Sequence, residues 1–501
     1  MSDAALYAGP LERIATGIDG LDVILHGGFL RGGIYMVSGD PGSGKTIFAN
    51  QMCFHHVRAG ERVLYITLLA ENHSRIFSNL RELAFFDPGP IGETLLYFSG
   101  YGALRNDGLS GLSNFLRQSI RQYRASLVVI DGLETAVDVA ESSLALKRFI
   151  HELHVYVEAM NATLILLAQL DPNVCPPIHA MADGVIELYD RQHDLRAVRE
   201  LTVQKLRGSD YVRGRHLFNI NARGIVVHPR TEALPASTTA TGAHSLERLQ
   251  TGVVRLDEML EGGLLPESTT MLLGTPGSGK TVLGLHVLAA GARAGEQGLY
   301  FGSTEKPARL VQKATRIGLS FDGWVEQGLI EVVWQPPREP ILDVLAERVL
   351  DAVRRRGVRR LFIDGIDAFE AAVYPERLPA FFAALTNQLN MLGVTTVIAV
   401  EMRELFGPTV EFPSQNFSAN IDNIIFLRYV ELRSQLYRLL SILKIRDSGY
   451  DPAIREFKIT DQGLDVAATF ESAEAILTGL ARPLPADAGL ITPNKRPRRS
   501  S

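Results

Sequence analysis

The octapeptide GDPGSGKT occupies residues 39–46, and the nearly identical octapeptide GTPGSGKT occupies residues 274–281. Each follows a short apolar run and precedes a stretch with helical periodicity, which is the setting of a phosphate-binding loop. In such a loop the backbone N–H groups point inward around a β-phosphate, and the positive end of the following helix adds to the attraction. The sequence therefore predicts two phosphate-binding loops in one chain.

The residue types within each loop predict ATP and Mg²⁺ as cofactors. We expect Lys45 and Lys280 to reach the β- and γ-phosphates, and the neighbouring threonines to supply a hydroxyl to Mg²⁺. The predicted nucleotide-binding residues are Gly39, Asp40, Pro41, Gly42, Ser43, Gly44, Lys45, Thr46, Gly274, Thr275, Pro276, Gly277, Ser278, Gly279, Lys280 and Thr281.

The similarity between the two halves extends well beyond the loops. The matching pairs are TGIDGLDVILHGGFLRGG at 16–33 with TGVVRLDEMLEGGLLPES at 251–268, LVVIDGLE at 127–134 with LFIDGID at 361–367, and VQKLRGSD at 203–210 with ILKIRDSG at 442–449. The spacing between partners stays close to 235 residues throughout. The chain is therefore predicted to be a tandem repeat of one domain.

Each copy alternates strand-like and helix-like segments. In the first copy, apolar strands at 62–67, 126–131 and 163–169 are separated by helical stretches, and β-like runs follow near 195–205 and 216–227. This alternation predicts an α/β domain with a mainly parallel sheet and helices on both faces.

Two stretches without apolar periodicity set the expected domain limits. Residues 228–245 are rich in Pro, Ser, Thr and Ala, and the chain ends in the basic sequence PNKRPRRSS. We expect a first domain at residues 1–230, a linker at 231–245, a second domain at 246–480 and a disordered basic tail at 481–501.

Composition excludes several classes of protein. A formal net charge of −5 argues against a chain that lies along nucleic acid. The only cysteines, Cys53 and Cys175, form neither a disulfide framework nor a zinc-ligand pattern. The apolar runs are shorter than a membrane span, and residues 1–10 lack the features of a signal peptide. We expect a cytoplasmic protein with no membrane contact and no nucleic-acid partner.

Acidic residues recur where a nucleotide hydrolase needs them. Asp131 and Asp364 end buried apolar strands, where each can hold a water of the Mg²⁺ shell. Glu71 and Glu305 lie near the end of the strand that follows each loop helix, where a carboxylate can position and deprotonate water. A helix-capping acid is the alternative interpretation of these glutamates.

Two further pairs of charged residues recur. Glu134 and Asp367 each lie three residues after a strand-end aspartate, where helix-start electrostatics explains them as well as chemistry does. Lys205 with Arg207, and Lys444 with Arg446, are spaced two apart on β-like runs, so that both side chains of a pair project to one face. Solvated surface is the common explanation of such a pair, but recurrence predicts cations presented to the phosphate of a neighbouring subunit.

These motifs together resemble the KaiC family, whose members are double-domain RecA-like ATPases of the circadian clock. The resemblance covers residues from about 16 to 479, and its most specific part is LRYVELR at 427–433 followed by LKIRDSGYDPAIREFKITDQG at 443–463. It implies two tandem RecA-like domains with C-terminal β-hairpins, a homohexamer with ATP between subunits, slow ATP hydrolysis, and autophosphorylation in the second domain. It also implies KaiB-like or other signalling proteins as partners.

The chain departs from the family pattern at three places. The family places two adjacent glutamates after the second core strand, whereas Ala70 and Thr304 replace the first of them here. The family's phosphorylated Ser-Thr pair aligns with Ser418 and Ala419, so that Ser418 alone is a candidate for phosphorylation. The Pro-rich basic tail differs from the family's regulatory end.

Two other functions compete with an ATP-driven hexameric regulator. A RecA- or RadA-type DNA-dependent ATPase shares the core fold, but residues 169–183 contain no Lys, Arg or aromatic side chain, and residues 401–420 contain one Arg and three Glu. A scaffold ring, in which ATP is mainly structural, is the other alternative, and the missing glutamates favour it. Both loops keep their lysine and threonine, which predicts nucleotide binding at each.

Overall fold

The fold is described from a computed structural model of the chain. It describes residues 12–69, 73–169, 176–235, 247–336, 340–402, 421–432 and 435–468. The chain divides into two compact units between Leu234 and Pro235. Most of the expected linker and all of the expected tail lie outside the described residues. No helix in the described ranges is long and apolar enough to cross a membrane.

The first unit alternates strands and helices and ends in four strands. Its elements are β1 (Arg13–Ile14), α1 (Leu21–Ile24), β2 (Phe29–Leu30), β3 (Ile34–Gly39), α2 (Lys45–Arg58), β4 (Val63–Thr67), α3 (His73–Leu80), β5 (Leu95–Ser99), α4 (Tyr101–Tyr123), β6 (Leu127–Asp131), α5 (Leu133–Val139), α6 (Ser143–Ala159), β7 (Thr163–Gln169), α7 (Pro176–Met181), β8 (Gly184–His193), β9 (Arg196–Leu206), β10 (Arg215–Asn221) and β11 (Gly224–His228). A 3₁₀ turn follows at Thr231–Ala233.

The second unit follows a similar alternation of strands and helices and also ends in four strands. Its elements are α8 (Val254–Met259), β12 (Thr269–Gly274), α9 (Lys280–Arg293), β13 (Gly298–Gly302), α10 (Pro307–Arg316), α11 (Phe321–Glu326), β14 (Ile330–Trp334), α12 (Leu342–Arg356), β15 (Arg360–Asp364), α13 (Asp367–Glu370), α14 (Leu378–Met391), β16 (Thr395–Glu401), β17 (Asn423–Leu432), β18 (Gln435–Ile445), β19 (Arg455–Thr460) and β20 (Gly463–Val466).

Each unit is built on a nine-stranded sheet. The first has the order β5-β4-β6-β7-β3-β8-β9-β10-β11, and the second has the equivalent order β14-β13-β15-β16-β12-β17-β18-β19-β20. The first six strands of each order run parallel, whereas the last three pair antiparallel as hairpins. The predicted fold class, two tandem RecA-like P-loop domains with mainly parallel sheets and C-terminal hairpins, is confirmed.

The sheets are buried on both faces, which explains their continuous apolar strands. In β3, Tyr35 and Val37 pack on the face covered by α2, while Ile34 and Met36 pack on the opposite face, which α4 and α6 cover. The loop strand of each unit, β3 or β12, lies in the middle of its sheet with β7 or β16 beside it. The phosphate-binding loops therefore leave the carboxyl ends of central parallel strands, where sites form in α/β folds.

Candidate functional site

Both octapeptides form the connection from a central strand to a helix. Gly44 and Gly279 are the residues before α2 and α9, with φ of 106° and 111°. This left-handed conformation is one that glycine adopts without steric cost. The helices begin at Lys45 and Lys280, so that their free N–H groups face the loop as a ready anion-binding surface.

The loop lysines are held in the same way in both units. The Nζ of Lys45 donates to the carbonyl oxygens of Gly39 at 2.7 Å and Asp40 at 3.0 Å. The Nζ of Lys280 lies 2.8 Å from the carbonyl oxygen of Gly274, with a further bond to that of the next residue. Each ammonium group is thus fixed at the centre of its own loop.

Burial and carboxylates act in opposite directions on these lysines. Burial lowers the pKa of Lys45, and the carboxylates of Glu134 and Asp131 oppose that change. Burial likewise lowers the pKa of Lys280, where Glu401 is the strongest opposing charge, followed by Asp364 and Asp367. Each site therefore combines one partly desolvated cation with several acids, and the acids differ between the two units.

The strand-end aspartates lie where the sequence predicts. Asp131 is the last residue of β6 and Asp364 is the last residue of β15, and both are buried. The Oγ1 of Thr281 lies 2.9 Å from Oδ1 and 3.1 Å from Oδ2 of Asp364. In P-loop sites Mg²⁺ is held by the hydroxyl of the loop threonine together with the strand-end aspartate. Thr281 and Asp364 therefore fit the cation. Thr46 occupies the equivalent position, the second residue of α2.

Two buried tyrosines that the sequence analysis did not identify contact these aspartates. The hydroxyl of Tyr65 donates to Oδ2 of Asp131 at 2.5 Å, and that of Tyr300 donates to Oδ2 of Asp364 at 2.7 Å. Burial raises the pKa of both tyrosines, so that their hydroxyls stay protonated and can donate. Burial also raises the pKa of Asp364, while the bonds from Tyr300 and Thr281 oppose that rise.

A cavity of about 300 Å³ opens beside the second loop. Its lining consists of Gly277, Gly279, Lys280, Thr281, Val282, Thr304, Glu305, Lys313, Asp364, Gly365, Asp367, Ala399, Glu401 and Ile459. Five acidic or basic side chains from five different elements and connections converge on it together with the loop itself. This convergence of a phosphate-binding loop, a metal-binding pair and further carboxylates is the arrangement expected of a nucleotide site.

Glu305 lies at this cavity with one oxygen engaged. Its Oε1 accepts a hydrogen bond from Nζ of Lys313 at 2.8 Å, whereas its Oε2 is buried and has no hydrogen-bond partner among the described residues. A carboxylate oxygen of this kind can accept a proton or a hydrogen bond from water. Glu71, the corresponding candidate in the first unit, lies outside the described residues, as does Ser418.

The loop serines also present buried hydroxyls without partners in the described part of the chain, at Ser43 and Ser278. The preceding glycines make room for them. A Cβ on Gly39 would lie 2.4 Å from the Oγ of Ser43, and one on Gly274 would lie 2.6 Å from the Oγ of Ser278. Buried hydroxyls are normally hydrogen-bonded, so these two indicate loops shaped to receive acceptor oxygens such as those of a phosphate.

The two units differ at the end of the strand beside the loop strand. Glu401 ends β16 and lines the cavity, whereas Gln169 ends β7 at the equivalent position. Recurrence between the copies does not mark Glu401, because the other copy carries an amide at this position. Its position at the end of a buried apolar strand is the signal that could have identified it.

Glu134 and Asp367 fit both interpretations given to them from the sequence. Glu134 lies in the first turn of α5 and Asp367 is the first residue of α13, where an acid favours the helix dipole. Both also interact electrostatically with the loop lysine of their unit. The Oε2 of Glu134 is buried without a hydrogen-bond partner in the described ranges.

The Lys-x-Arg pair of the first unit lies at the amino-terminal ends of the parallel strands, whereas the loop lies at their carboxyl ends. Lys205 pairs with the beginning of β8, whereas the loop follows the end of β3. Its Nζ donates to the carbonyl oxygens of Ala182 at 2.5 Å and Ala180 at 3.0 Å. Arg207 follows β9 and donates to the same Ala180 oxygen at 2.9 Å, so that both side chains do share one face.

The second unit reproduces this arrangement. The Nζ of Lys444 donates to the carbonyl oxygen of Ile421 at 2.5 Å, and Arg446 pairs with Oδ1 of Asp422 at 3.1 Å. A register shift interrupts the hairpin next to each pair, between Ile424 and Ile425 here and at the matching residues of β8 in the first unit. The equivalent bulges place the two cationic pairs identically in their units.

No group of three or more His, Cys, Asp or Glu in the described residues is arranged to hold a metal ion. A cation at either loop would therefore depend on the threonine hydroxyl, the strand-end aspartate and the phosphate oxygens. Mg²⁺ is commonly held in this way, with few protein ligands and several waters.

Comparisons with known proteins agree with this geometry. A family model described as "ATPase: KaiC" matches residues 14–232 and again residues 249–471. The chain is 26% identical to proteins named circadian clock oscillator protein KaiC from Picosynechococcus sp. and from Synechococcus elongatus, over 94% of this chain and 92% of each relative. It is also 26% identical to circadian clock oscillator protein KaiC 1 of Synechocystis sp., over the same shares. The chain therefore belongs to the KaiC family of ATPases.

Proposed function

We propose that this KaiC-family ATPase is an ATP-driven hexameric regulator that binds ATP with Mg²⁺ at both loops and hydrolyses it slowly. The observation that carries this proposal is the second cavity, where Lys280, the Thr281–Asp364 pair and Glu305 converge. The equivalent loop, lysine and aspartate stand together in the first unit. On this proposal the chain binds two nucleotides.

Each group of the second site has a distinct role in this proposal. Lys280 and the helix N-terminus hold the β- and γ-phosphates, and Thr281 with Asp364 holds the cation. Mg²⁺ bound there would neutralise charge that develops on the phosphate oxygens. The Glu305 oxygen that has no hydrogen-bond partner among the described residues accepts a hydrogen bond from the attacking water and orients it. Lys313 fixes the same carboxylate through its other oxygen, at 2.8 Å.

The position of the cationic pairs favours a ring. Lys205 and Arg207 are separated from the loop of their own unit by the length of β3, about 20 Å for six residues. They cannot reach a phosphate bound at that loop. In a ring, the edge that carries the pair would face the loop of the next subunit, and Lys444 with Arg446 would do the same in the second tier. We therefore propose a homohexamer with ATP at the subunit interfaces.

Regulation is proposed on a narrower basis, the family resemblance and the sequence. Ser418 stands where the family carries its phosphorylated pair, and we propose it as a single autophosphorylation site. On the basis of the family's clock relatives, we propose KaiB-like or other signalling proteins as partners. We place the protein in the cytoplasm and do not expect it to bind nucleic acid.

The first experiment measures ATP turnover and phosphate incorporation with radiolabelled ATP on the full chain. Lys45→Ala and Lys280→Ala each remove one site, and Ser418→Ala removes the candidate phosphorylation site. We expect turnover in the wild type, partial turnover in each lysine variant, and protein-bound label that is lost in Ser418→Ala.

Other outcomes would contradict parts of the proposal. Turnover without label would refute the autokinase activity while leaving the ATPase. Stoichiometric ATP binding with no turnover would support the scaffold ring. Turnover that rises on addition of single-stranded DNA would favour a DNA-dependent ATPase. A monomer in both the presence and the absence of ATP, measured by light scattering, would refute the ring.

A further inference from the structure

The two buried tyrosines beside the strand-end aspartates share their geometry across the repeat. Tyr65 lies on β4 and Asp131 ends the adjacent strand β6, where its register partner is Thr67, two residues beyond the tyrosine. Side chains two residues apart on a strand point to the same face. Tyr65 and Asp131 therefore both face α2, the helix that carries Thr46.

The second unit extends this arrangement by one bond. Tyr300 donates to Oδ2 of Asp364 at 2.7 Å, and the Oγ1 of Thr281 lies 2.9 Å from Oδ1. Tyr300 thus holds Oδ2 from the core, while the Thr281 hydroxyl on α9 lies within hydrogen-bond distance of both carboxylate oxygens. Because a hydroxyl donates to one oxygen at a time, Thr281 alone would leave the carboxylate free to rotate about its Cβ–Cγ bond.

The hydroxyl is unnecessary for packing. Tyr65 and Tyr300 are completely buried in the apolar core, where a phenylalanine would fill the same volume. Burying a hydroxyl is unfavourable unless it is hydrogen-bonded, and here its bond is to the aspartate. The residue beside each tyrosine on the neighbouring strand differs between the units: Tyr97 lies beside Tyr65, whereas Val332 lies beside Tyr300. The tyrosine itself is the same in both units.

We propose that Tyr65 and Tyr300 are positioning residues for the cation that accompanies ATP. Each hydroxyl fixes the rotation of its aspartate, and in the second unit the oxygen next to Thr281 would then already be oriented toward a bound cation. Preorganisation of this kind strengthens metal-dependent binding without contributing a ligand. The inference rests on the proposed function, because it assumes that both sites bind Mg²⁺ with ATP.

The test compares nucleotide affinity with and without Mg²⁺, so that it does not depend on turnover. Dissociation constants for a fluorescent ATP analogue are measured in a concentration of Mg²⁺ that saturates the nucleotide, and again in EDTA. The ratio of the two constants reports how strongly the cation is coupled to binding. Lys280→Ala serves as the background for Tyr65→Phe, and Lys45→Ala serves as the background for Tyr300→Phe, so that one site is read at a time.

Tyr35→Phe is the matched control in the first unit. Tyr35 is also buried on the face covered by α2, and its hydroxyl bonds to the backbone of Leu30 at 2.8 Å, away from the loop. We expect Tyr65→Phe to reduce the coupling ratio about tenfold, the order of magnitude for a lost hydrogen bond to a charged group. The dissociation constant in EDTA should stay within about twofold, and Tyr35→Phe should leave the ratio unchanged.

The possible failures are distinguishable. If the background variants themselves bind the analogue equally with and without Mg²⁺, the proposed function is wrong. If they show coupling and both tyrosine variants keep the same ratio, the positioning inference is wrong. Equal weakening in Mg²⁺ and in EDTA would mean that the hydroxyls are merely structural, and this also overturns the inference. Should Tyr65→Phe fail to fold, Tyr300→Phe provides the independent test.

Discussion

Replacing His286 with glutamine should make the stability of the second unit less sensitive to acid. His286 lies in α9 and is 4% exposed, and its Nε2 accepts a hydrogen bond from the backbone N–H of Leu464 at 3.0 Å. The first unit carries Gln51 at the equivalent position, where Oε1 accepts from the N–H of Ile225 at 2.8 Å. The same connection between loop helix and last strand is therefore made by a titratable side chain in one unit and by an amide in the other.

The size of the effect follows from the shift in pKa. Burial lowers the pKa of His286 to about 4 from its usual 6.5, and the charge of Arg293 acts in the same direction. The unfolded chain binds a proton more readily between these values, so the stability of the folded unit falls as the pH falls through this window. Because of His286, the free energy of unfolding of the second unit should fall by about 2 kcal/mol between pH 7.5 and pH 5. At pH values below the folded-state pKa the total loss should be about 3 kcal/mol.

Tryptophan fluorescence reads this unit alone, because both tryptophans of the chain, Trp324 and Trp334, belong to it. Urea unfolding of the wild type and of His286→Gln is compared at pH 7.5 and pH 5.0, and the difference in pH dependence isolates this one residue. His56→Gln, a change in the first unit, is the control and should not alter the fluorescence transition. If the wild type and His286→Gln lose the same stability on acidification, His286 is not held neutral in the folded unit and the reasoning is wrong.

Two further predictions concern the nucleotide sites, and a third concerns the packing of His286. Lys45→Ala and Lys280→Ala should each lower the number of ATP molecules bound per chain from two to one, measured by equilibrium dialysis, and loss of all binding in either variant would contradict independent sites. In the Lys45→Ala background, Glu401→Gln should tighten ATP binding about threefold or more by calorimetry, because it removes a negative charge beside the phosphates; weaker binding would show that the carboxylate assists instead. Gly463→Ala should destabilise the second unit by about 2 kcal/mol or more in the tryptophan assay, because φ is +105° and the new Cβ would lie 2.5 Å from the ring of His286; an unchanged transition would refute this close contact.

The repeat and its loops could be predicted because their signals are local and regular. The octapeptides at residues 39–46 and 274–281 specify their backbone through glycine and their chemistry through lysine and threonine. The apolar strands that precede Asp131 and Asp364 likewise identify the sheet edge at which the aspartates lie. In these places a short segment of sequence determines the local geometry by itself.

The remaining site residues depend on which strands become neighbours. Tyr65 reaches Asp131 only because β4 pairs with β6, although 66 residues separate them in the chain. As a residue type in an apolar strand, Tyr65 cannot be distinguished from ordinary core, although its recurrence as Tyr300 was a usable signal. Glu401 gave no recurrent signal at all, because the matching residue is not an acid. Strand order, which the sequence specifies only through the whole fold, brings these groups to the loops.

The attachment of the first cationic pair gives the proposed ring a direction. Lys205 is bonded to carbonyl oxygens at the end of α7, and α7 is the next described element after β7, whose last residue stands beside the loop. In the proposed ring, the end of β7 would stand beside a subunit's own nucleotide, and the cations bonded to α7 would face the nucleotide of its neighbour. Such interfaces join two different surfaces head to tail, so that a closed ring built from them would have a single rotational sense.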